Sequence, residues 1–324
     1  MNERALKVLE QYELEIAGTR RGRGNFICET DKGSKQLCEF HGSEKKLEVQ
    51  NRILWKIREA GCRMVDTAVE NREGKLVSAD RDENRYVVKD WFPGRECGVF
   101  CERDILAAVE HLARLHQLMR FPEETKEYCG VPLREELVRR TRELKKVRAF
   151  VRGREPRQPF EQLFLNSFQI FWEQAAAAVE RAGTLYGEQE LDAEIESGAV
   201  CHGDYNYHHV LFLDCGIATT EFGRFRFDFQ VNDLYQFTRK ILEKHDWDAG
   251  LGMRMVEAYE RIRPLPRLER EILAVRMAYP EKFWKLTNHY YGSRKAWLPA
   301  RYLQKLELLL QQQDARNNFI KLLE

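Results

Sequence analysis

Residues 200–213 read Val-Cys-His-Gly-Asp-Tyr-Asn-Tyr-His-His-Val-Leu-Phe-Leu, and this stretch decides how the whole chain is interpreted. Asp204 follows a His-Gly pair, and two histidines stand immediately before the apolar run that begins at Val210. The pattern predicts a loop between a short apolar start and a strand. An aspartate held by backbone on both sides can accept a proton from a substrate hydroxyl. Asp204 is therefore the first candidate for a catalytic residue.

The composition of the chain is that of an ordinary globular protein. Its 324 residues exceed the usual size of a single core, which predicts two lobes or domains. With 53 Lys and Arg against 52 Asp and Glu, no global field directs the chain to nucleic acid or to a membrane surface. The N-terminus has no apolar signal segment and no run reaches the roughly 18 apolar residues of a membrane span. The eight cysteines form no C-x-x-C pair, so we expect free thiols and a cytoplasmic location.

Two kinds of hydrophobic periodicity divide the chain after residue 92. Residues 12–92 read as five or six mostly antiparallel strands, interrupted by one helix that starts at Ser43. The strands are expected at residues 12–16, 25–30, 34–40, 64–69, 75–79 and 85–91. Pro93-Gly94 breaks this pattern, and the remainder is mainly helical. The predicted helices span residues 101–118, 134–153, 160–181, 232–243, 249–262, 268–278, 282–290 and 300–323. We predict an α+β fold with a small N-terminal lobe at 1–92 and a helical C-terminal lobe at 93–324.

A hairpin follows the opening stretch and makes up the rest of the strand-like part of the second lobe. Residues 209–213, the turn Asp214-Cys215-Gly216 and residues 217–222 predict two short antiparallel strands. Phosphoryl transfer from a nucleotide requires a divalent metal held by oxygen ligands from two separate points. One ligand can come from the end of the loop and another from the far end of the hairpin. The spacing therefore suits that chemistry.

The loop resembles the H-G-D-x-x-x-x-N loop of aminoglycoside and choline kinases. His202-Gly203-Asp204 matches its first three letters, and an apolar strand follows as in the family. The strings Trp-Phe-Pro-Gly-Arg-Glu from residue 91 and Asp-Leu-Tyr-Gln-Phe-Thr-Arg-Lys from residue 233 resemble the spore-coat CotS branch of that superfamily. The resemblance covers nearly the whole chain and implies a two-lobed, protein-kinase-like architecture.

The resemblance implies a role for each residue that matches the family pattern. Asp204 corresponds to the catalytic base, and His202 corresponds to the histidine that supports the loop. Asp233 corresponds to the aspartate that anchors the loop, and it suits the cap of the helix that starts there. Lys89, Asp90 and Trp91 correspond to the hinge that borders the adenine slot.

The metal positions depart from the family pattern. His209 stands where the metal-binding Asn is expected, and neutral imidazole is a poor ligand for Mg²⁺, though a tolerable one for Mn²⁺ or Zn²⁺. Glu221 replaces the Asp of the second metal-binding string, and Asp228 is a further candidate. If the protein is an active enzyme, ATP and Mg²⁺ are the implied cofactors, with His209, Glu221 and Asp228 as candidate metal ligands.

The nucleotide positions are altered as well. The lysine that the family places in the third strand coincides with Cys38, and Lys35 lies three residues too early. Gly22 and Gly24, in an Arg-Gly-Arg-Gly string, are the candidates for a loop that covers the phosphates. Without the third-strand lysine, Glu48 (or Glu44) of the following helix has no obvious ion-pair partner.

These departures support two functional hypotheses. Changes at Cys38, His209 and Glu221 together remove on the order of several kcal/mol of charge stabilisation from phosphoryl transfer. We therefore expect a catalytically degraded, pseudokinase-like binding or scaffold protein that is deposited on the spore coat, with coat proteins and a nucleotide as candidate partners. The alternative is an active ATP-dependent phosphotransferase that acts on a small-molecule or protein hydroxyl with Asp204 as base.

Two other kinds of site remain open at this point. Residues 134–157 carry ten Lys or Arg against four Glu, which makes them a candidate surface for nucleic acid. Their acidic companions and the neutral overall charge favour a solvated helix face instead. A zinc site at Cys201, His202, His208 and His209 is a second candidate. That spacing is not a standard tetrahedral set, which favours histidines that pack within the loop.

Overall fold

The computed structural model describes residues 3–22, 24–124, 126–153, 158–292 and 300–324. They belong to two compact units. The first contains Met1–Tyr128 and Ser197–Phe227, and the second contains Cys129–Glu196 and Asp228–Glu324. The units do not follow the predicted division after residue 92, because residues 93–128 and the loop around Asp204 group with the N-terminal sheet.

The first unit is built on a five-stranded antiparallel sheet, which the alternation in residues 12–92 predicts. Its strands are β1 (Ile16–Arg21), β2 (Asn25–Thr30), β3 (Lys35–Glu39), β4 (Val77–Ala79) and β5 (Arg85–Asp90). The strand order is β1-β2-β3-β5-β4. The register pairs Cys38 with Val87 and Gln36 with Lys89, so these four side chains share one face of the sheet.

A helix packs against each face of this sheet. On the face of Cys38 and Lys89 lies α1 (Glu44–Glu59), whose Ser43 cap accepts a hydrogen bond from the Lys46 amide. Its Leu47 shares an apolar cluster with Val87. On the opposite face, Val8 and Leu9 of a 3-10 helix (Glu3–Gln11) pack in one cluster with Leu37 and Val88. Because successive side chains of a strand point to opposite faces of the sheet, each strand contributes side chains to two different cores.

The remainder of the first unit positions the loop around Asp204. Its elements are β6 (Arg95–Glu96), α2 (Glu102–Leu118), β7 (Val200–Cys201), β8 (Val210–Leu213), β9 (Gly216–Thr219) and β10 (Arg226–Phe227). β8 and β9 form the predicted hairpin and β6 pairs with β8, while β7 pairs with β10. The Asp204 loop therefore runs from one small sheet to another, with both of its ends held by strand pairing.

The second unit is helical, as the periodicity predicts. Its helices are α3 (Leu133–Arg152), α4 (Pro159–Leu185), α5 (Glu188–Glu196), α6 (Val231–Leu242), α7 (Ala249–Glu260), α8 (Arg267–Ala278), α9 (Glu281–Gly292), α10 (Arg301–Gln311) and α11 (Gln313–Leu323). Phe164, Phe168 and Phe171 of α4 share one face at helical spacing and pack on Phe283 of α9. None of the helices in the described ranges is long and apolar enough to cross a membrane.

Two strand predictions were wrong for identifiable reasons. Tyr12 is buried at the end of the leading 3-10 helix, so β1 starts only at Ile16. Residues 64–69, predicted as a strand, make only isolated bridges at Val65 and Ala68. The Asn51 side chain of α1 forms the hydrogen bonds to the Ala68 backbone instead, accepting from its N–H at 2.7 Å and donating to its carbonyl at 3.2 Å. A side chain here takes the place of a strand partner.

The helix predictions missed a break and a short helix. The predicted helix at 300–323 is divided at Gln312 into α10 and α11, with no proline or glycine to signal the division. The helix α5 was not predicted, because Leu191 and Ile195 are its only buried residues and seven polar or small residues surround them. A pattern with two apolar positions is too short to establish a helical period.

His111 of α2 makes the stability of the first unit depend on pH. Its Nε2 lies 3.0 Å from the Thr219 hydroxyl of β9, and burial, with a smaller contribution from Arg114, lowers the pKa of His111 from 6.5 to about 4. Between pH 6.5 and about 4, the unfolded chain therefore binds a proton at His111 and the folded chain does not. We expect His111 by itself to lower the free energy of unfolding by about 2 kcal/mol, with allowance for partial exposure, as the pH drops from about 6.5 to about 4.

Urea unfolding at a series of pH values measures this dependence. The His111→Gln variant can still bond to Thr219 but lacks this contribution, so its free energy of unfolding should gain about 2 kcal/mol relative to that of the wild type over this window. His41, whose side chain is 85% exposed, provides the control variant His41→Gln. A slope that is the same in His111→Gln and in the wild type would contradict the assignment.

Candidate functional site

His202 is hydrogen-bonded through both ring nitrogens. Its Nε2 lies 2.9 Å from the Thr220 carbonyl, and the Asp204 amide donates to its Nδ1 at 3.1 Å. A carbonyl can only accept and an amide can only donate, so the ring carries its proton on Nε2 and is neutral. The ring is fully buried against Phe222, 4.3 Å between centroids. These contacts tie the loop to the segment after β9 and leave neither nitrogen to a metal.

Gly203 stands at a close approach between two backbone segments. Its φ is +80°, and a Cβ placed there would lie 1.9 Å from the Arg224 carbonyl oxygen. Only glycine fits such a position, because a side chain meets both the conformational cost and the contact. The Gly before Asp204 is thus required by the packing of the loop on residue 224.

Asn206 and His209 pack around the backbone of Asp204. Asn206 Nδ2 lies 2.9 Å from the Asp204 carbonyl and 3.2 Å from its Oδ1, which orients the carboxylate. His209 Nδ1 lies 3.0 Å from the same carbonyl and 2.9 Å from Asn206 Nδ2. One nitrogen of His209 is therefore used inside the loop. His208 lies apart, with its Nδ1 2.5 Å from Glu96.

Glu221 occupies an unusual backbone conformation next to a buried acid. Its φ of +67° is left-handed, and its N–H donates to Asp66 Oδ2 at 3.0 Å. A non-glycine residue in this region costs about 1 kcal/mol or more, which the hydrogen bond to Asp66 offsets. The Glu221 side chain itself is exposed. Asp66, which precedes the Ala68 bridge, was not singled out from the sequence.

Lys89 and Asp66 form a buried ion pair in this site. Lys89 is 9% exposed, Asp66 is fully buried, and Lys89 Nζ lies 3.5 Å from Asp66 Oδ2. Burial raises the pKa of Asp66 to about 6, against the opposing effect of Lys89. Burial by itself lowers the pKa of Lys89, but the carboxylates of Asp66 and Glu221 raise it above its ordinary value. The ammonium is therefore the cation that balances both acids.

The third strand does not provide a cation at the predicted position. Burial raises the pKa of the Cys38 thiol to about 11, so the thiol is neutral at pH 7. Cys38 faces the same side of the sheet as Lys89 on the neighbouring strand. The positive charge on this face thus comes from β5, one strand away from the family position.

The glycine loop uses its amides internally. The Gly22 amide donates to the Asn25 carbonyl at 3.0 Å, and the Gly24 amide donates to the Gly22 carbonyl at 3.1 Å. The Asn25 side chain fills the space beside Gly22, where an added Cβ would lie 2.0 Å from its Oδ1. These two amides are committed to the hairpin, so phosphate binding by Gly22 and Gly24 stays a prediction.

Two of the predicted hinge residues, Asp90 and Trp91, contact neighbouring cationic side chains. Asp90 accepts from Lys35 and Arg58, both at 2.6 Å, and from the Thr67 hydroxyl at 2.5 Å. The Trp91 ring stacks under the guanidinium of Arg20, 4.8 Å from its centroid. Asp90 is thus the centre of an ion-pair network that ties β3 and α1 to β5, and Lys35 belongs to that network.

Two of the predicted site residues lie in the second unit. Asp228 is buried, with its Oδ1 2.8 Å from the Phe229 amide, and its carboxylate packs against Gly130. Asp233 was expected to cap its helix, but α6 begins at Val231 with Gln230 in the cap position. Asp233 therefore lies in the first turn, where a carboxylate still interacts favourably with the helix dipole.

The ligand set of the first unit does not suit Mg²⁺. Mg²⁺ requires near-octahedral coordination by oxygen, and of the predicted ligands in this unit Glu221 offers a carboxylate and His209 an imidazole. The other carboxylate beside Glu221, that of Asp66, is paired with Lys89. Within the described ranges, no three His, Cys, Asp or Glu side chains are grouped as metal ligands. We therefore derive no chemical step through a metal ion.

Comparisons with known proteins place this geometry in context. The model of the family described as "Spore coat putative kinase YutH" matches residues 6–323. Spore coat protein S of Bacillus subtilis (strain 168) is 18% identical over 97% of this chain and 92% of its own length.

Solved structures show the same fold. An aminoglycoside phosphotransferase from Alicyclobacillus acidocaldarius has a TM-score of 0.85 at 18% identity, over 98% of this chain and 94% of its own. The choline kinase LicA from Streptococcus pneumoniae has a TM-score of 0.55 at 12% identity, over 96% and 97% of the two chains. These likenesses confirm the predicted resemblance and the kinase-like fold with its N-terminal antiparallel sheet and helical C-terminal region.

Proposed function

Because the chain belongs to the spore coat putative kinase YutH family, we propose that it is a pseudokinase-like component of the spore coat that binds partners rather than transferring phosphate. Coat proteins are the partners that the family implies. The relative in Bacillus subtilis is itself named as a coat protein, which supports deposition of this chain on the coat during sporulation.

The observation that carries the loss of phosphoryl transfer is the buried ammonium of Lys89. This ammonium balances Asp66 and also Glu221, which stands at the predicted second metal position. A fixed positive charge near Glu221 opposes the binding of a divalent cation there, because like charges repel. The site thus carries an internal cation in place of an exchangeable one. A nucleotide that binds here without metal would meet the same ammonium.

A second candidate function rests on the geometry of Asp204. Asn206 Nδ2 holds its Oδ1 at 3.2 Å, so the carboxylate is oriented within an ordered loop as a base would be. An active phosphotransferase acting on a small-molecule or protein hydroxyl, with ATP and a metal bound by Glu221, Asp228 or His209, is the corresponding alternative. Several structural neighbours were solved with nucleotides, including an amicoumacin kinase with AMP-PNP and Ca²⁺.

A pair of restoring substitutions tests the proposal. In the wild type, we expect ATP to shift the unfolding midpoint equally with and without Mg²⁺ or Mn²⁺, and no phosphate to be transferred. In the His209→Asn/Glu221→Asp variant, which restores the family ligands, we expect Mg²⁺ to add about 2 °C or more to the ATP shift once Lys89→Met also removes the opposing ammonium.

The contrary result concerns phosphate transfer by the wild type. Incubation with γ-labelled ATP and coat extract, followed by detection of labelled protein or small molecule, measures it directly. Transfer that occurs in the wild type and disappears in both Asp204→Ala and Glu221→Ala would establish the enzyme and remove the scaffold-only proposal.

A further inference from the structure

A small cavity in the helical unit is surrounded by charged side chains. Three cations line it, Arg239 of α6, Lys282 of α9 and Arg316 of α11, together with two carboxylates, Glu243 and Glu281. Arg239 and Arg316 are 5% and 6% exposed. These residues lie far along the chain from the loop around Asp204, and the function proposed above does not use them.

The two carboxylates are already engaged with other cations. Glu243 accepts from Arg239 and from Lys282, the latter at 2.7 Å. Glu281 accepts from Arg140, and from Lys285 at 2.8 Å. Each carboxylate therefore balances two positive groups.

Arg316 makes its hydrogen bonds to neutral groups. It donates to the Gln174 side chain at 3.0 Å and to the carbonyls of Met277 and Ala278 at 2.7 and 2.6 Å. No ion pair to a carboxylate of the described ranges is formed by this guanidinium. Burial accordingly lowers the pKa of Arg316 to about 10, with Glu243 opposing that effect. An isolated buried charge costs several kcal/mol, so an arginine held in this way is a place where an anion stabilises the fold.

Arg239, which lines the same cavity, carries a second donor. Its Nε is buried and has no hydrogen-bond partner among the residues that the structure describes. Buried N–H groups are rarely left without a partner, so this donor indicates a small bound species. Arg239 and Arg316 both line the cavity, and the charge of Arg239 contributes to lowering the pKa of Arg316.

The size of the cavity decides which species fits. Its volume is about 20 Å³, and a single water needs roughly 10–15 Å³ by the same measure. A space of this size suits a small monovalent ion better than sulfate, phosphate or a nucleotide. We propose that the cavity binds one monovalent anion of chloride size between Arg239 and Arg316. The anion supplies the negative charge that the surrounding carboxylates do not.

Chloride dependence of stability tests this proposal on the full chain. At a constant ionic strength of about 0.15 M, we expect the thermal midpoint to be about 2–5 °C higher in sodium chloride than in sodium gluconate, whose anion is too large for the cavity. The Arg316→Gln variant should lose that difference. Arg267→Gln, which removes a side chain that is 92% exposed, should keep it. Equal midpoints of the wild type in both salts would overturn the proposal, as would a difference that persists in Arg316→Gln.

Crystals of the wild-type protein grown in sodium bromide provide a measurement that needs no variant. An anomalous bromide peak between Arg239 and Arg316 is the expected result. Density without an anomalous signal at that point would mean that the cavity holds water, and the proposal would be wrong even if Arg316→Gln failed to fold.

Discussion

Replacing Lys89 by Met should destabilise the protein by about 3 kcal/mol at pH 7.5, the lower end of the range for breaking a buried ion pair. The variant leaves Asp66 buried beside Glu221 without its cation. The cost stays near the lower end because Asp66, whose pKa is already raised to about 6, can take up a proton. Removal of Lys89 raises that pKa further, so the folded variant binds the proton over a wider pH range than the unfolded chain does. Its deficit should therefore shrink as the pH falls from 7.5 toward 5.

Urea unfolding of three variants checks this result. Lys89→Met/Asp66→Asn should recover most of the lost free energy at pH 7.5, because the buried charge is gone and the Asn oxygen can still accept from the Glu221 amide. Lys75→Met, which breaks an exposed pair with Glu73, is the matched control and should leave the midpoint unchanged. A Lys89→Met deficit that is independent of pH, or a double variant no more stable than the single one, would show that Lys89 acts through packing alone.

The elements of the fold could be read from the sequence where the periodicity is regular. The strands of residues 25–39 and 85–90 are short runs bounded by polar and glycine turns, and most helices of the second unit carry apolar residues at helical spacing, so they were predicted within a few residues of their ends. The failures share a cause. At Ala68 a side chain of α1 replaces a strand partner, and at the point where the last predicted helix divides, Gln312 donates to the Asp246 side chain at 2.8 Å. The local sequence pattern indicates neither of these contacts.

The site was predictable to a smaller extent. The recognisable loop contains His202 and Asp204, and the predicted hairpin after it ends near Glu221. The structure places all three residues in one unit. The position of the compensating charge could not be derived in this way. Lys89 reaches Asp66 because β5 lies beside β3 and because residues 64–69 run next to β5, and both facts belong to tertiary structure. A lysine and an aspartate 23 positions apart give no local signal of pairing.

Replacing Gly203 by Ala should cost about 2–5 kcal/mol and displace the loop that carries Asp204. The new Cβ would add the left-handed strain of a non-glycine residue, about 1–2 kcal/mol, to a contact of 1.9 Å with the Arg224 carbonyl oxygen. Crowding of that kind costs about 1–3 kcal/mol, and a backbone oxygen cannot rotate away as a flexible side chain can. The measurement is urea unfolding, with the hydrogen-exchange protection of the Asp204 amide as a local readout.

Gly223→Ala is the matched control for this prediction, since it adds the same methyl group to the neighbouring segment. A Cβ at Gly223 meets nothing within 4 Å and φ there is not left-handed, so we expect a change within about 1 kcal/mol. The comparison of the two variants tests whether packing against residue 224 holds the loop in place. If Gly203→Ala is destabilising while Gly223→Ala is neutral, the His-Gly-Asp loop is maintained by packing against residue 224, a constraint that persists whether or not Asp204 still accepts a proton. Equal stabilities of the two variants would mean that the loop moves freely from Arg224, and the packing argument for Gly203 would fail.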